Sequence, residues 1–135
     1  MPLQNLLDDF ALFDDWEDRY RYIIELGNKL APLSAAEHNE QNKVPGCVSQ
    51  VWLVSEGDAA QMRFRGDSDA HIVRGLVAIL LDLVSGKPAR EIMAFDAEQA
   101  FTQLGLAEHL TPQRSNGFYA MVQRIRNDAE AALAD

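Results

Sequence analysis

Only one of the 135 residues is a cysteine, Cys47. An intramolecular disulfide is therefore excluded, and so is a structural zinc or iron–sulfur scaffold built on several thiolates of one chain. Histidines are sparse too: His38, His71 and His109 are dispersed and lack the short spacings of a metal site. The glycines at 66, 75, 86 and 105 are too scattered for a phosphate-cradling loop. No G-x-S-x-G nucleophile pattern is present. Long apolar runs are missing as well. The longest, Leu76 to Leu81, falls far short of the ~20 residues that span a bilayer, which predicts no membrane association. Cations are in deficit, 12 Lys and Arg against 21 Asp and Glu, for a net charge of −9. With a sequence pI near 4.7, the chain repels phosphate backbones and no nucleic-acid partner is expected. Residues 1–9 show neither a basic region ahead of an apolar stretch nor an Ala-x-Ala site. Together with the single thiol, which suits a reducing compartment, this predicts a cytoplasmic location.

What is present reads as one domain over residues 1–135, with 47% apolar and 24% charged residues. Apolar positions 3, 6, 7, 10, 11 and 13 predict a first helix. Asp14 with Glu17 reads as a capping box for a second, whose face carries Trp16, Tyr20, Ile23, Ile24 and Leu30 and which Pro32 stops. Trp16 and Tyr20 are read as core packing. Residues 31–46 form a polar loop, long enough to be uncommon unless functional or disordered. Alternation from Cys47 to Val54, a turn at Glu56-Gly57-Asp58, and alternation from Ala60 to Arg65 predict an antiparallel hairpin. The segment Gly66-Asp67-Ser68-Asp69 offers N-caps for the next helix. That helix is apolar on most of its circumference from Ile72 to Val84, so it is expected at the centre of the core. Gly75 inside it suggests a close approach by a neighbour. Pro88, Asp96 and Thr111-Pro112 predict the starts of three further helices, the last with Phe118, Met121, Val122, Ile125, Ala129 and Leu133 as its stripe. The fold class is α+β: a small antiparallel β-sheet packed against several helices.

Cys47 is what remains for chemistry. Free cysteines are often small buried core residues, and composition alone favours that reading here. The Pro45-Gly46 bend argues for access, while Val48 and Val51 argue for shielding of the sulfur. A thiol both loop-placed and shielded suits a carrier better than a general nucleophile. A Cys-His hydrolase is a further reading and requires a histidine within ~3 Å of the sulfur. The acidic run Asp8, Asp9, Asp14, Asp15, Glu17 and Asp18 is read first as a solvated face, and second, with the Cys47 loop, as a docking surface.

Four segments resemble one family in order and spacing. They are Tyr22-Ile-Ile-Glu-Leu-Gly27, Asn42 through Pro45-Gly46-Cys47-Val48-Ser49-Gln50-Val51-Trp52, Gly66-Asp67-Ser68-Asp69-Ala70, and Leu110-Thr111-Pro112-Gln113-Arg114-Ser115. The chain is similar, over nearly its whole length, to the SufE-like sulfur acceptor proteins, the family of SufE and CsdE. That resemblance implies an α+β fold of the SufE/IscU type. It implies that Cys47 takes persulfide sulfur from a pyridoxal-phosphate cysteine desulfurase, SufS-like or CsdA-like, stimulates that enzyme, and passes sulfur to an acceptor such as SufBCD for iron–sulfur cluster assembly. Arg114 is implied to assist at the site or interface, and Asp69 to set the geometry and mobility of the cysteine loop. Gly46, Ser49 and Gln50 are implied as loop or interface positions. The pyridoxal phosphate (PLP) belongs to the partner, and no cofactor of the chain's own is implied. A different reading keeps the desulfurase as partner but makes this chain a docking regulator that carries no sulfur. Transpersulfuration itself asks for one reachable thiolate and no resolving cysteine beside it, which a single-cysteine chain satisfies.

Overall fold

The computed structural model describes residues 2–134. Two helices, α1 (Pro2–Ala11) and α2 (Trp16–Asn28), lead into a loop that contains one 3-10 turn at Ala35–Glu37. The hairpin β1 (Val51–Asp58) and β2 (Gln61–Ser68) follows, then α3 (His71–Val84), α4 (Ala89–Ala94), α5 (Ala97–Gln103), α6 (Leu106–His109) and the long α7 (Pro112–Ala134). The architecture is α+β, a two-stranded antiparallel sheet packed against helices.

Ten of the fourteen residues of α3 are buried, which puts that helix at the centre of the core, as its all-round apolar sequence predicts. Its closest neighbour is α2. A methyl group on Gly27 would stand 2.6 Å from the Gly75 nitrogen, and one on Gly75 would collide with the Ile23 carbonyl. The two backbones therefore touch where both residues lack a side chain. On the other side of α3, β2 contributes Met62 and Phe64, and β1 contributes Val51 and Leu53. Register pairs Val51 with Ser68 and Leu53 with Gly66, so alternate residues of both strands face the core. The stripe of α7 covers the remaining core surface with Phe118, Met121, Val122, Ile125 and Ala129 buried, while Leu133 stays exposed.

Several boundaries differ from the sequence expectation. The cap of α2 is Asp15, whose carboxylate accepts from the Asp18 N–H at 2.9 Å, one residue later than the Asp14 box. The hairpin turn falls on Ala59-Ala60, not on residues 56–58, because Asp58 Oδ1 accepts from both Ala60 N–H (3.0 Å) and Gln61 N–H (3.2 Å). Such side-chain capping of a turn competes well with a glycine signal two residues earlier. Residues 66–68 belong to β2 and leave Ala70 as the N-cap of α3, without a side-chain cap bond. Pro88 is the N-cap of α4 where the sequence suggested its first turn. The caps at Asp96 and Thr111 are as expected.

Alanine at a helix-interior glycine ordinarily stabilises by ~1 kcal/mol. At position 75 the collision with the Ile23 backbone reverses the sign. Gly75→Ala is expected to lower the unfolding free energy by about 1–3 kcal/mol in urea titrations. A variant as stable as the wild type would show that α2 and α3 are free to move apart.

Candidate functional site

The loop ahead of the cysteine is built, not loose. Ser34 and Glu37 form a reciprocal capping box on the 3-10 turn. The Asn42 side chain donates to the Glu37 carbonyl (2.9 Å), and Asn42 N–H donates to Asn39 Oδ1 (2.9 Å). Residues 42–44 then lie along the free edge of β1: Val44 N–H donates to the Val51 carbonyl and Leu53 N–H to the Asn42 carbonyl, both at 2.8 Å, with Lys43 opposite Trp52. Arg124 of α7 ties this edge down by donating to the carbonyls of Lys43 (3.4 Å) and Leu53 (3.5 Å). Asp128 in turn accepts from its Nε at 3.2 Å.

A second set of polar contacts clamps the outer side of the loop onto β2. Arg65 pairs with Glu37 and, at 2.9 Å, with Glu56. The Arg65 hydrogen bond to Glu37 is the main reason that carboxyl is held down to about 2. His38 bridges the Ser34 carbonyl (2.7 Å, Nδ1) and Asp67 Oδ2 (2.8 Å, Nε2) and sets its edge against the Trp52 ring. The Asp67 contact pushes the imidazole pKa up, with Ser34 adding to it. Burial alone would raise the Asp67 carboxyl, but His38, the Ser68 N–H and Arg74 together outweigh it and hold it below the usual carboxylate range.

Between these anchors only Pro45 to Gln50 is left without ladder partners. Gly46 sits at φ +89°, a left-handed conformation that glycine adopts freely. The return side is fastened by Asp69, which accepts from Gln50 N–H at 3.0 Å and from the Gln50 side chain at 3.4 Å, while Asp69 N–H donates to the Gln50 carbonyl (3.2 Å). Residues 47–50 are thus a bend, and the strand begins only at Val51, where the sequence alternation had placed it at Cys47. β2 ends at Ser68 opposite Val51, so residues 47–50 find no partner there.

Cys47 is half-buried at the tip of this bend. Its Sγ lies 3.6 Å from the Gly117 carbonyl, to which the thiol donates. The sulfur opens on a cleft of about 210 Å³ walled by Val73 of α3, by Ser49 of the loop, and by Thr111, Gln113, Arg114 and Gly117 around the start of α7. Burial pushes the thiol pKa up. Val48, expected to shield the sulfur, borders the same cleft but is 76% exposed, and Val51 is buried in the sheet. On its other side Cys47 borders a second recess lined by Glu40, Lys43, Val44, Pro45 and Gly46. No histidine lines either recess. Both His38 nitrogens are engaged elsewhere, and His109 stacks on Trp16, so this geometry gives the Cys-His hydrolase no base.

The profile of the SufE family, described as an Fe-S metabolism associated domain, matches residues 4–129. The chain belongs to the SufE family. An uncharacterized SufE-like protein of Rhizobium etli is 56% identical, over 98% of this chain and 92% of its own length. A second, from Rhizobium meliloti, is 53% identical over 97% and 96%. A solution structure of a hypothetical protein from Thermus thermophilus superposes with a TM-score of 0.80, covering 99% of this chain and 97% of that one at 20% identity, which shows a shared fold.

On this SufE-family fold the residues singled out in the sequence fall in one neighbourhood. Cys47, Ser49 and Arg114 wall the same cleft, Gly46 is the bend before the thiol, and Gln50 and Asp69 fasten the bend after it. Arg114 lies over the Tyr20 ring, 5.8 Å from its centroid, and forms no ion pair among the described residues. Tyr20 and Trp16 are half-buried against the core and their other faces meet Arg114 and His109. Part of the acidic run is structural: Asp15 caps α2, and Asp9 accepts from the Tyr22 hydroxyl at 2.6 Å. That bond and burial push the phenol up to about 12, burial counting most. The sequence reading did not single out Gly117, Arg124 or the His38–Asp67 clamp. For Gly117 there was a signal, a glycine inside a predicted helix; for the other two there was none.

Two measurements test this geometry. Alkylation of Cys47 should titrate above the ~8.5 of free cysteine. In Asp69→Ala, which loses the carboxylate contacts to Gln50, the midpoint should fall toward that value and the rate at pH 8 rise about fivefold, the equivalent of ~1 kcal/mol. Unchanged kinetics would mean Asp69 does not restrain the thiol. His38 has a raised folded pKa, so the charge-dependent stability it supplies is complete below its unfolded value of ~6.5 and fades as pH rises through the folded value. The stability gap between wild type and His38→Ala should therefore shrink with rising pH above 6.5, and a gap that widens would contradict the clamp.

Proposed function

We propose that this chain is a sulfur carrier that works beside a cysteine desulfurase, SufS-like or CsdA-like, in iron–sulfur cluster assembly. The carrying observation is the position of the only cysteine: at the tip of a short bend anchored on both sides, with its sulfur turned into a cleft rather than toward water. A permanently exposed thiol would surrender a sulfane sulfur to any passing reductant, and a fully buried one would never meet its donor.

The chemistry is thiol exchange. The Cys47 thiolate attacks the outer sulfur of the desulfurase cysteine persulfide. A sulfur–sulfur bond forms at Cys47 Sγ, the bond between that outer sulfur and the enzyme's cysteine breaks, and the enzyme thiolate leaves and takes up a proton. One sulfane sulfur has moved and no net oxidation occurs. The same exchange in reverse hands the sulfur to an acceptor such as SufBCD. The PLP that releases sulfur from cysteine stays with the desulfurase.

The resting thiol is the wrong protonation state for attack, since burial raises its pKa and no neighbour offsets that. Activation is accordingly assigned to docking, which draws the bend out of its cleft. Once the loaded bend returns to the cleft, Arg114, which has no ion-pair partner among the described residues, faces the perthiolate and balances its charge. Gly46, Ser49 and Gln50 move with the bend, and Asp69 sets how readily it leaves. The exposed Val48 and the acidic residues Asp8, Asp14 and Glu17 supply the contact surface.

The deciding experiment incubates the chain with a cysteine desulfurase and cysteine, followed by intact-mass spectrometry. A gain of about 32 Da on Cys47, one sulfur atom, is expected. Cys47→Ser should fold normally, take no sulfur and lose the stimulation of sulfide release. Full stimulation by the serine variant without an adduct on the wild type would instead identify a docking regulator.

A further inference from the structure

Gly117 lies inside α7, buried, with nothing in its backbone that requires glycine: its φ is not positive. It is also unlike Gly27 and Gly75, which are bare because another backbone presses on them. A methyl group built on Gly117 would meet only one foreign heavy atom within 4 Å, Cys47 Sγ at 3.7 Å, an ordinary van der Waals contact. Alanine would therefore fit beside the resting thiol and would strengthen the helix, since glycine weakens a helix interior. The thiol state gives no reason for a glycine here.

A persulfide does. The outer sulfur bonds to Sγ at about 2.05 Å. The Cys47 side chain is already aimed at α7, with its Sγ against the Gly117 carbonyl, and both residues wall the same cleft. On the line to the Gly117 carbonyl a second sulfur would stand within about 2 Å of the oxygen, so it turns aside over the Gly117 α-carbon, into the space that a methyl on residue 117 would fill. We infer that Gly117 is the notch that receives the carried sulfur, with the α-carbon of a helix-interior glycine serving as the floor of its seat. Loading also removes the S–H proton that the Gly117 carbonyl accepts, so the outer sulfur turns its charge along the cleft toward the Arg114 side. Gly117 is thus a positioning residue for the loaded state only. The inference rests on the carrier reading of Cys47 and adds to it which helix surface holds the cargo.

Gly117→Ala tests it. Wild type and variant are loaded in parallel by a cysteine desulfurase with cysteine and, without any partner, by inorganic polysulfide. Persulfide yield and its half-life in millimolar glutathione are followed by intact mass. Thermal unfolding and the iodoacetamide rate of the unloaded thiol are measured on the same samples. The expected result is equal or higher thermal stability, an unchanged alkylation rate, and a persulfide half-life at least fivefold shorter by both loading routes. Equal half-lives would overturn the notch. So would a slowed thiol alkylation that accounts for the loss, because the methyl would then have displaced Cys47 itself. Failure of the wild type to take sulfur from the desulfurase would count against the carrier reading alone, since the polysulfide arm still reports on the seat.

Discussion

The bond from Val44 N–H to the Val51 carbonyl is the contact on which the placement of the thiol depends. It is short, 2.8 Å, and it closes the ring of residues that carries Cys47. With its neighbour, Leu53 N–H to the Asn42 carbonyl, it converts a polar stretch into an edge segment of the sheet. β1 thereby has a partner on each side, β2 and residues 42–44. Pro45 ends the edge because it has no N–H to donate. The bend that follows inherits its direction from a sheet that α3 holds from beneath, and α3 is itself pressed onto α2 at Gly27 and Gly75. A displacement in the core would thus reach the sulfur through two backbone contacts.

The electrostatics of the resting site run against immediate reactivity. Around the loop base, charges are matched: Glu37 with Arg65, Asp67 with His38 and Arg74, Arg124 with Asp128. These pairs are partly exposed and each contributes modestly to stability, but they share a location, and together they fix the platform from which the bend projects. At the thiol the opposite holds. Among the described residues no charge compensates the burial of Cys47, which favours the protonated thiol, and Arg114 faces the same cleft without a carboxylate. A cation that lies over Tyr20 and has no ion-pair partner among the described residues suits the charged persulfide proposed for this site better than the neutral thiol.

How much of this could be read from the chain follows from what kind of contact each feature needs. The buried α3 was legible because Ile72 to Val84 is apolar on nearly every face, and Gly75 announced a close neighbour because a glycine there is costly. The alternation of Met62 and Phe64 with Gln61, Arg63 and Arg65 gave β2. The start of β1 was misplaced because alternation from Cys47 looks the same whether or not a partner strand exists, and partnering is a property of the fold. The long loop was read as a loop, but what orders it was hidden for a related reason. Its order comes from Arg124, eighty-one positions distant from Lys43, and from Asp67 and Arg65 across the sheet, none of which leaves a local pattern. Gathering Cys47 with Arg114 could not come from spacing at all. Only the likeness of four segments to one family put them together.

The division into a fixed base and a short tip also constrains how the sulfur becomes accessible. Residues 31–44 are held by the capping box, the Asn42 bonds, the β1 edge and Arg124, and moving them would break the sheet's outer ladder. Residues 45–50 are held by far less: the Asp69 contacts to Gln50 and the seat of Cys47 on Gly117. Each hydrogen bond is worth about 1 kcal/mol net, so lifting the tip costs a few kcal/mol, which a few well-packed contacts at a protein interface supply. With about 3.4 Å per extended residue, a tip six residues long carries its midpoint outward by roughly 10 Å at most, and Gly46 provides the free dihedral for it. Val48, exposed beside the thiol, is the first apolar group a partner would meet. The tip is therefore long enough to present one sulfur and too short to let it wander, which is what the proposed hand-over between two enclosed sites requires.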